Sequence, residues 1–490
     1  MRHRPQKKHG DDRLSTLIEK LVAIVGKSNV LTAQKDQTKY ITDWPGDKTG
    51  RARAVVRPAN TQEVSKIMEF AYHTTTPVVP QSGNTGVAGG SIPDQSGDAI
   101  LLSLERMNII RDISRSAQTI VVEAGCVLET IHTTVEELGL FFPLNFGARG
   151  SCMIGGNLAT NAGGSNVVRY GNTRDLCLGI EAVMPDGEIM NLLSGLHKNN
   201  TGYDLRNLLI GSEGTLGVIT AATLKLFPLP KARETCLATV NDISGGLDLL
   251  NLIQAETGGA VEAFELMPKA LFELLAKHLP HLKQPFTDIP EMSVLIEIAA
   301  TSDADAKMSE SGITPIAQKL ENVLADAFES DLVTDAVIAS SEAQRSEIWT
   351  LRESALEAIT AEGERIGFDI ALPLDAVHEF VDEMAGTVDR ILPGARMLPV
   401  GHLGDGNLHY TVFPKEDETA NLRKHAADIK AAVYGPLSSY GGSFSAEHGI
   451  GANKLAEMTA FKDPAALAVM RRVKAALDPK GIMNPGRMLP

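Results

Sequence analysis

Residues 150–164 read Gly-Ser-Cys-Met-Ile-Gly-Gly-Asn-Leu-Ala-Thr-Asn-Ala-Gly-Gly, and no other stretch constrains the chain as much. Five glycines and two alanines are interleaved with the small polar side chains of Ser151, Asn157, Thr160 and Asn161. A backbone this bare can approach a ligand closely, and glycine supplies positive φ where a turn demands it. Its amides and short polar groups can line a flat, heteroatom-rich molecule and its phosphates. Alone, such a run also admits a plain glycine-rich surface loop. A second run, residues 81–90, reads Gln-Ser-Gly-Asn-Thr-Gly-Val-Ala-Gly-Gly and follows the strand-like Val78-Val79. Two phosphate-friendly loops on one chain point to one large dinucleotide.

The chain has 490 residues, so two or more domains are expected, and an apolar share of 43 % supports real cores. Its net charge of −15 argues against broad nucleic-acid or anionic-membrane binding. A local basic pocket for an anionic substrate remains open. Four cysteines (Cys126, Cys152, Cys177, Cys236) show no C-x-x-C spacing and read as reduced residues of a cytoplasmic protein. The basic residues 1–10 are followed at once by Asp11-Asp12, without the apolar run of a signal peptide. No stretch approaches a membrane span, so no integral membrane segment is expected, and any membrane contact is expected to be peripheral.

Helical periodicity runs over 13–25, with Leu14, Leu17, Ile18, Leu21, Val22 and Val25 on one stripe. Residues 43–53 are polar, carry Pro45 and two glycines, and read as a connector. A strand at 54–56, a helix over 60–72 capped by Asn60 or Thr61, and a strand at 77–80 form a βαβ-like unit. Further strands are expected at 99–104, 119–123 and 179–184, a helix at 128–138, and a turn at Pro185-Asp186-Gly187. Residues 208–220 form a third glycine-rich segment, and the proline break near 230 closes the first half. Beyond it glycine thins out. Strands are expected at 237–240, 294–299, 368–372 and 397–401, and helices at 316–328, 342–361, 374–391, 422–434 and 464–476. That order predicts an α+β unit with helices on one face of a sheet.

Ordered motifs then carry a resemblance. The first half contains Val56-Arg57-Pro58, Ser82-Gly83-Asn84-Thr85-Gly86, Ile154-Gly155-Gly156-Asn157 with Thr160-Asn161-Ala162-Gly163-Gly164, Arg169-Tyr170-Gly171 and Gly211-Ser212-Glu213-Gly214-Thr215-Leu216-Gly217. With these the chain resembles the flavin-dependent oxidases and dehydrogenases of the vanillyl-alcohol oxidase type. The second half resembles their D-2-hydroxyacid branch through Gly401-His402-Leu403-Gly404-Asp405-Gly406-Asn407-Leu408-His409, Glu447-His448-Gly449-Ile450-Gly451 and Asn484-Pro485-Gly486. The likeness covers residues 53–490. Preceded by the N-terminal helical segment (1–52), it implies an α+β protein: an FAD-binding α/β domain of two subdomains (53–230), an α+β cap with an antiparallel sheet (231–440), and a C-terminal helical segment (441–490) packed back on the FAD domain. FAD contacts are implied at Ser82, Gly83, Asn84, Thr85, Gly86, Pro143, Gly150, Ser151, Gly155, Gly156, Asn157, Thr160, Asn161, Gly163, Gly164, Glu213, Gly214, Gly217, Val218, Ile219 and Asn484. Some relatives bond FAD through a histidine in or near the first glycine loop. Residues 81–90 contain none, so non-covalent FAD is expected.

His402 and His409 can also be read from geometry. Asp405-Gly406 is a type I′ hairpin signal, and as a two-residue turn it sets His402 opposite His409. Opposed residues share a face with Cβ atoms roughly 4.5–5.5 Å apart, which suits two imidazoles on one metal ion. Glu447 is the candidate third ligand, leaving an open position. The alternative is two structural histidines bridging sheet to helix. The resemblance favours the metal and implies zinc or manganese; the residues do not choose between them. Such an ion would polarise the substrate 2-hydroxyl, a base would take its proton, and the C2 hydrogen would pass to the flavin as hydride. His448 is the candidate base, against a reading as a helix-terminus histidine. Arg352, in Trp349-Thr350-Leu351-Arg352-Glu353, matches a family motif and suits a substrate carboxylate, against a reading as a solvated helix arginine.

At three pocket positions the match breaks. D-2-hydroxyglutarate dehydrogenases are expected to carry a hydroxyl one turn after the arginine, a lysine before the Phe368-Asp369 strand, and an amide two residues after His409. This chain has Leu356, Gly367 and Thr411 there, with Asn407 placed among the pocket residues. Leu356 stands at i+4 from Arg352 and should share its helix face. A second substrate carboxylate would lose charge-assisted partners worth about 1.5–3 kcal/mol each, with Arg365 the nearby cation that could compensate. The expectation is therefore a D-2-hydroxy acid with a small or uncharged tail, D-lactate first and D-2-hydroxyglutarate as the alternative. A quinone or an electron-transfer flavoprotein is the expected electron acceptor, and a homodimer is expected by analogy. Rival readings are an oxidase of alcohols or sugars and a flavin-binding electron-transfer subunit without its own substrate site.

Overall fold

In the computed structural model, which describes residues 8–310, 312–415 and 418–490, the first half of the chain builds two main sheets. Residues 1–7 of the basic N-terminal stretch lie outside the described residues. The first sheet runs in the order Val30–Leu31, Ala54–Val56, Ile100–Ser103, Val78–Gln81, the last three parallel. The helix Thr61–Thr74 makes the crossover. Asn60 is its cap: the side chain accepts from the Glu63 amide at 2.9 Å, and the Glu63 carboxylate accepts from the Ala59 amide at 2.8 Å. The N-terminal helical segment before residue 53 also supplies the edge strand Val30–Leu31, antiparallel to Ala54–Val56. Its helix Lys8–Val25 buries Leu17, Leu21 and Val25 against the same core.

The second sheet has five antiparallel strands, Ile110–Ser114, Thr119–Glu123, Val218–Lys225, Cys177–Val183 and Ile189–Asn191 in that order. All four cysteines are free and buried. No helix among the described residues is long and apolar enough to cross a membrane.

The second half forms one seven-stranded antiparallel sheet, ordered Val333–Ile338, Ala232–Val240, Met292–Ala300, Val261–Pro268, Arg396–His402, Asn407–Phe413, Ile366–Ala371. Helices cover both of its faces, not one as expected. Ile243–Thr257, Pro315–Glu329, Val377–Ile391 and Thr419–Tyr434 bury one face, with Phe264, Ile296 and Tyr410 beneath them. Lys269–His278, Glu342–Glu353 and Ala355–Ala361 cover the other over Leu237, Leu295, Leu398 and Val400. Alternating strand residues are apolar on both sides, so both sides need cover. The uninterrupted helix expected over 342–361 is two helices, broken at Ser354.

The second helical layer is locked to the sheet at Glu362. Its carboxylate is 3 % exposed and receives His278 Nε2 at 2.6 Å, Lys277 Nζ at 2.9 Å and Arg396 Nη2 at 2.7 Å. Burial raises its pKa, but these three hydrogen bonds outweigh burial and bring it down to about 2. A depressed carboxyl pKa stabilises the fold above the unfolded value near 4.3, and that stabilisation fades as pH falls toward 2. Glu362→Gln is expected to remove about 2 kcal/mol at pH 7, discounted for the charged side-chain ends through which water reaches the group. Thermal unfolding midpoints of parent and variant should differ at neutral pH and converge between about pH 4 and 2. A constant difference across that range would refute the assignment.

The C-terminal segment returns to the first half. Met483 pairs with Val78, and the Asn484 amide donates to Val78 O at 2.8 Å. Arg487 donates to Gly89 O at 2.9 Å and Ile92 O at 2.6 Å.

Candidate active site

Four neighbouring strands of the large sheet bring the chemistry onto one face. Glu265 stands opposite His402, His402 opposite Asn407, Val400 opposite His409, Asp369 opposite His409, and Gly367 opposite Thr411. Opposed residues share a face, so all of these do. The hairpin differs from the expected one. The turn spans four residues, Leu403 to Gly406, with a 3₁₀ turn at Leu403–Asp405 and Gly406 at φ 79°. His402 therefore faces Asn407, not His409. Leu403 is fully buried in the core below, which a two-residue turn would have kept in the ladder. The register moves by two residues, and a strand repeats every two, so both histidines keep the same face. Their ring centroids lie 5.5 Å apart.

Two buried carboxylates anchor the helix Glu342–Glu353 over this face. Glu297 receives Arg345 Nε at 2.6 Å and Nη2 at 2.8 Å, Trp349 Nε1 at 2.7 Å and Thr235 Oγ1 at 2.7 Å. Two turns later Arg352 Nε donates to Glu265 Oε2 at 2.8 Å. Arg352 Nη2 lies 2.7 Å from the same oxygen but out of line, and it is buried without an acceptor of its own. Glu265 Oε1 is 2.7 Å from His402 Nδ1. Burial works against a charge on His402, but the Glu265 carboxylate carries its pKa up to about 9. Burial, then the charge on His402, push His409 down to about 3, so His409 is neutral. Leu356 does not continue the Arg352 face on one helix. It lies beyond the Ser354 break and is 64 % exposed.

The C-terminal segment completes the site. Glu447 Oε1 is 3.8 Å from His402 Nε2 and accepts from the Gly164 amide at 2.6 Å. A Cβ on Gly163 would meet that same oxygen at 2.5 Å, so the glycine run and this carboxylate need each other's shape. Asp369 Oδ2 accepts from the amides of Glu447 at 3.1 Å and His448 at 2.9 Å. His448 Nδ1 is 3.6 Å from that oxygen, and its ring stacks on His409 at 5.9 Å and 11°. Burial opposes the charge on Asp369, but His448, Lys454 and His409 hold its carboxyl well below the usual range. Lys454 itself is fixed by Phe444 O and Ser445 Oγ, both at 3.1 Å. Donor atoms of His402, His409 and Glu447 lie within 4.8 Å of one another, as do those of Asp369, His409 and His448. Two imidazoles and one carboxylate are a donor set for zinc or manganese.

Residues 229–488 match the family model described as the C-terminal domain of FAD linked oxidases, and residues 52–193 match an FAD binding domain. The chain belongs to the FAD-linked oxidases. It is 39 % identical over 462 residues to the mitochondrial D-2-hydroxyglutarate dehydrogenase of Bos taurus, spanning 94 % of this chain and 81 % of that one. It is 34 % identical to the D-2-hydroxyglutarate dehydrogenase of Xanthomonas citri pv. viticola over 98 % of this chain and 97 % of the other. It is 32 % identical to the D-2-hydroxyglutarate–pyruvate transhydrogenase of Saccharomyces cerevisiae over 94 % and 92 %. Among solved structures, p-cresol methylhydroxylase shares its fold with a TM-score of 0.74 at 15 % identity, over 98 % of each chain.

The glycine loops of this FAD-linked oxidase fit the cofactor. The amides of Gly83, Asn84, Thr85 and Gly86 donate to no acceptor among the described residues, and Asn84 sits at φ 53°. Successive free amides around a left-handed residue form an anion cradle suited to a pyrophosphate. A Cβ on Gly83 would strike Ser151 O at 2.8 Å and Met153 N at 2.9 Å, so this loop lies directly on the second one. Ser82 Oγ lies 2.9 Å from a Cβ built on Gly155. Gly150 and Ser151 precede the short helix Ile154–Thr160, which holds Gly155, Gly156, Asn157 and Thr160 and ends at Asn161, φ 53°. Not every expected contact is free for a ligand. Asn157 is buried and donates to Cys152 Sγ at 3.6 Å, and Thr160 Oγ1 bonds within its helix. Pro143 O accepts from Asn166. Both oxygens of Glu213 accept at 2.7 Å from the amides of Ile450 and Gly451, so its carboxylate holds the His448 segment in place. Gly214 and Gly217 lead into the strand that opens with Val218 and Ile219. Asn484 donates to Gly90 O and Glu213 O, and its Oδ1 is buried without a partner.

Proposed function

We propose that this FAD-linked oxidase oxidises a D-2-hydroxy acid to the 2-oxo acid. One juxtaposition carries the reading: Arg352, a His402–His409–Glu447 donor set and His448 lie together over one sheet face, and Glu447 touches the flavin-loop glycines. Arg352 pairs with the substrate carboxylate. His402, His409 and Glu447 would hold a divalent ion that polarises the 2-hydroxyl. His448 takes the hydroxyl proton. Bound FAD supplies the acceptor for the C2 hydride, and the ion supplies Lewis acidity toward the hydroxyl. Asp369 holds His448 by its own amide and faces its Nδ1, leaving Nε2 for the proton.

Two substrates follow from two observations. The printed names of the relatives favour D-2-hydroxyglutarate. The pocket positions favour a small tail and D-lactate. A Cβ on Gly367 would meet nothing within 4 Å, Thr411 opposite it is uncharged, and Arg365 is hydrogen-bonded to Gly363 O and Thr360 Oγ1. Electrons then leave for a quinone or an electron-transfer flavoprotein, or for a 2-oxo acid such as pyruvate, as the yeast relative's name suggests. The test is an anaerobic titration of the oxidised-flavin absorbance with D-lactate and D-2-hydroxyglutarate, each against its L-isomer. Bleaching by D-lactate alone is the pocket's expectation. Bleaching by D-2-hydroxyglutarate would make Arg365 or another cation the second carboxylate's partner. No bleaching by any 2-hydroxy acid, with flavin and metal present, would refute the function.

A further inference from the structure

We propose that Glu265 is a positioning residue which, through one buried carboxylate, holds the metal-binding imidazole of His402 and the carboxylate-binding guanidinium of Arg352 in register. It rests on the metal and substrate reading given above. Glu265 is 1 % exposed in the middle strand Val261–Pro268. A charge buried that deeply persists only when its partners compensate the lost hydration. Among the described residues its hydrogen-bond partners are two site residues: Oε1 meets His402 Nδ1 at 2.7 Å, and Oε2 meets Arg352 Nε at 2.8 Å.

Each contact has a directional consequence. A carboxylate only accepts, so His402 must present Nδ1–H to it. With Nδ1–H held, the proton that leaves on metal binding is the one on Nε2, the nitrogen that points toward Glu447 at 3.8 Å. Outer groups of this kind fix both the tautomer and the ring orientation of a metal-binding histidine. On the other side, Glu265 occupies the Nε–Nη2 edge of Arg352 and leaves the Nη1–Nη2 edge for a ligand. The carboxylate and hydroxyl of a 2-hydroxy acid sit on adjacent carbons, so their two receptors must be spaced rigidly. One carboxylate bridging both receptors sets that spacing.

The helix that carries Arg352 is anchored a second time, by Arg345 and Trp349 on Glu297. Removing the Glu265 charge therefore does not release the helix, which separates positioning from simple structural support. Glutamine at 265 keeps the size but offers one donor and one acceptor. Where its amide N–H faces His402, the ring must accept at Nδ1 and protonate at Nε2, and the metal lone pair is lost.

The experiment measures Zn²⁺ dissociation constants by competition with a chromophoric chelator, on metal-stripped protein with FAD bound. Parent, Glu265→Gln and the matched buried control Glu297→Gln are compared, with flavin content and thermal midpoint as checks of folding. The expected result is a Zn²⁺ affinity lowered about 10- to 100-fold in E265Q, with E297Q near the parent. Equal affinity in parent and E265Q, or an equal loss in both variants, would overturn the proposal while leaving the metal site standing. Failure of the parent itself to bind Zn²⁺ or Mn²⁺ would refute the metal reading and this proposal with it. Should E265Q not accumulate folded, Glu265→Asp serves the same readout. It keeps the charge but shortens the reach by one methylene, and an intermediate loss is expected.

Discussion

Arg352→Met is expected to lower kcat/KM for the 2-hydroxy acid by about 10²-fold or more while FAD stays bound, since two charge-assisted hydrogen bonds to a carboxylate are worth about 1.5–3 kcal/mol each. Methionine keeps a long unbranched side chain but offers no donor. Arg352→Lys should fall between, because an ammonium restores charge without the planar fork. The variant also strips Glu265 of one of its two partners, and unpairing a buried charge costs about 3–5 kcal/mol of stability. Stability loss alone would lower the active fraction without moving KM. Arg345→Met supplies the comparison, because it breaks the corresponding pair at Glu297 two turns away on the same helix. If Arg352 binds substrate, Arg352→Met raises KM or the flavin-reduction Kd and Arg345→Met does not. Matching kinetics in the two variants would reduce Arg352 to a structural arginine.

The positions of His402, His409, Glu447 and His448 on a common site were legible because each sits in a short motif whose geometry is local. The His402–His409 pairing shows how far that goes. The turn was two residues longer than Asp405-Gly406 alone implies, yet the shared face survived, because an even shift in register cannot move a side chain across a sheet. The capped helix Thr61–Thr74 was legible for the same local reason. Glu265 was not. Its strand Val261–Pro268 carries a bulge between Val261 and Ala263 that places Glu262 and Glu265 out of simple alternation. What makes a charge tolerable there arrives from Arg352 and His402, 87 and 137 residues away. Two glutamates inside an otherwise apolar run were the available signal, and only tertiary partners could interpret them. The role of Asp369 was hidden likewise, since its partners Glu447 and His448 come from the returning C-terminal segment. Leu356 failed for a different reason: spacing assumed one helix, and the break at Ser354 ended it.

His448→Ala should slow flavin reduction by substrate by about 10²–10⁴-fold, the usual contribution of a positioned general base. Flavin and metal should both remain. Among the described residues the His448 side chain makes no hydrogen bond to the glycine loops, and its amide bond to Asp369 survives the substitution. The imidazole is well placed to turn over protons: it is 40 % exposed, stacked on neutral His409, and backed at Nδ1 by the ionised Asp369. The same variant decides between the two donor sets that share His409. If the ion sat on Asp369, His409 and His448, alanine at 448 would remove a ligand, and metal content would fall together with flavin reduction. If it sits on His402, His409 and Glu447, metal content holds and only the proton-transfer step fails, whereas Glu447→Gln loses the ion. Unchanged reduction rates in His448→Ala would assign the base elsewhere, and a flavin that was never reduced by substrate even in the parent would return the chain to the electron-carrier reading.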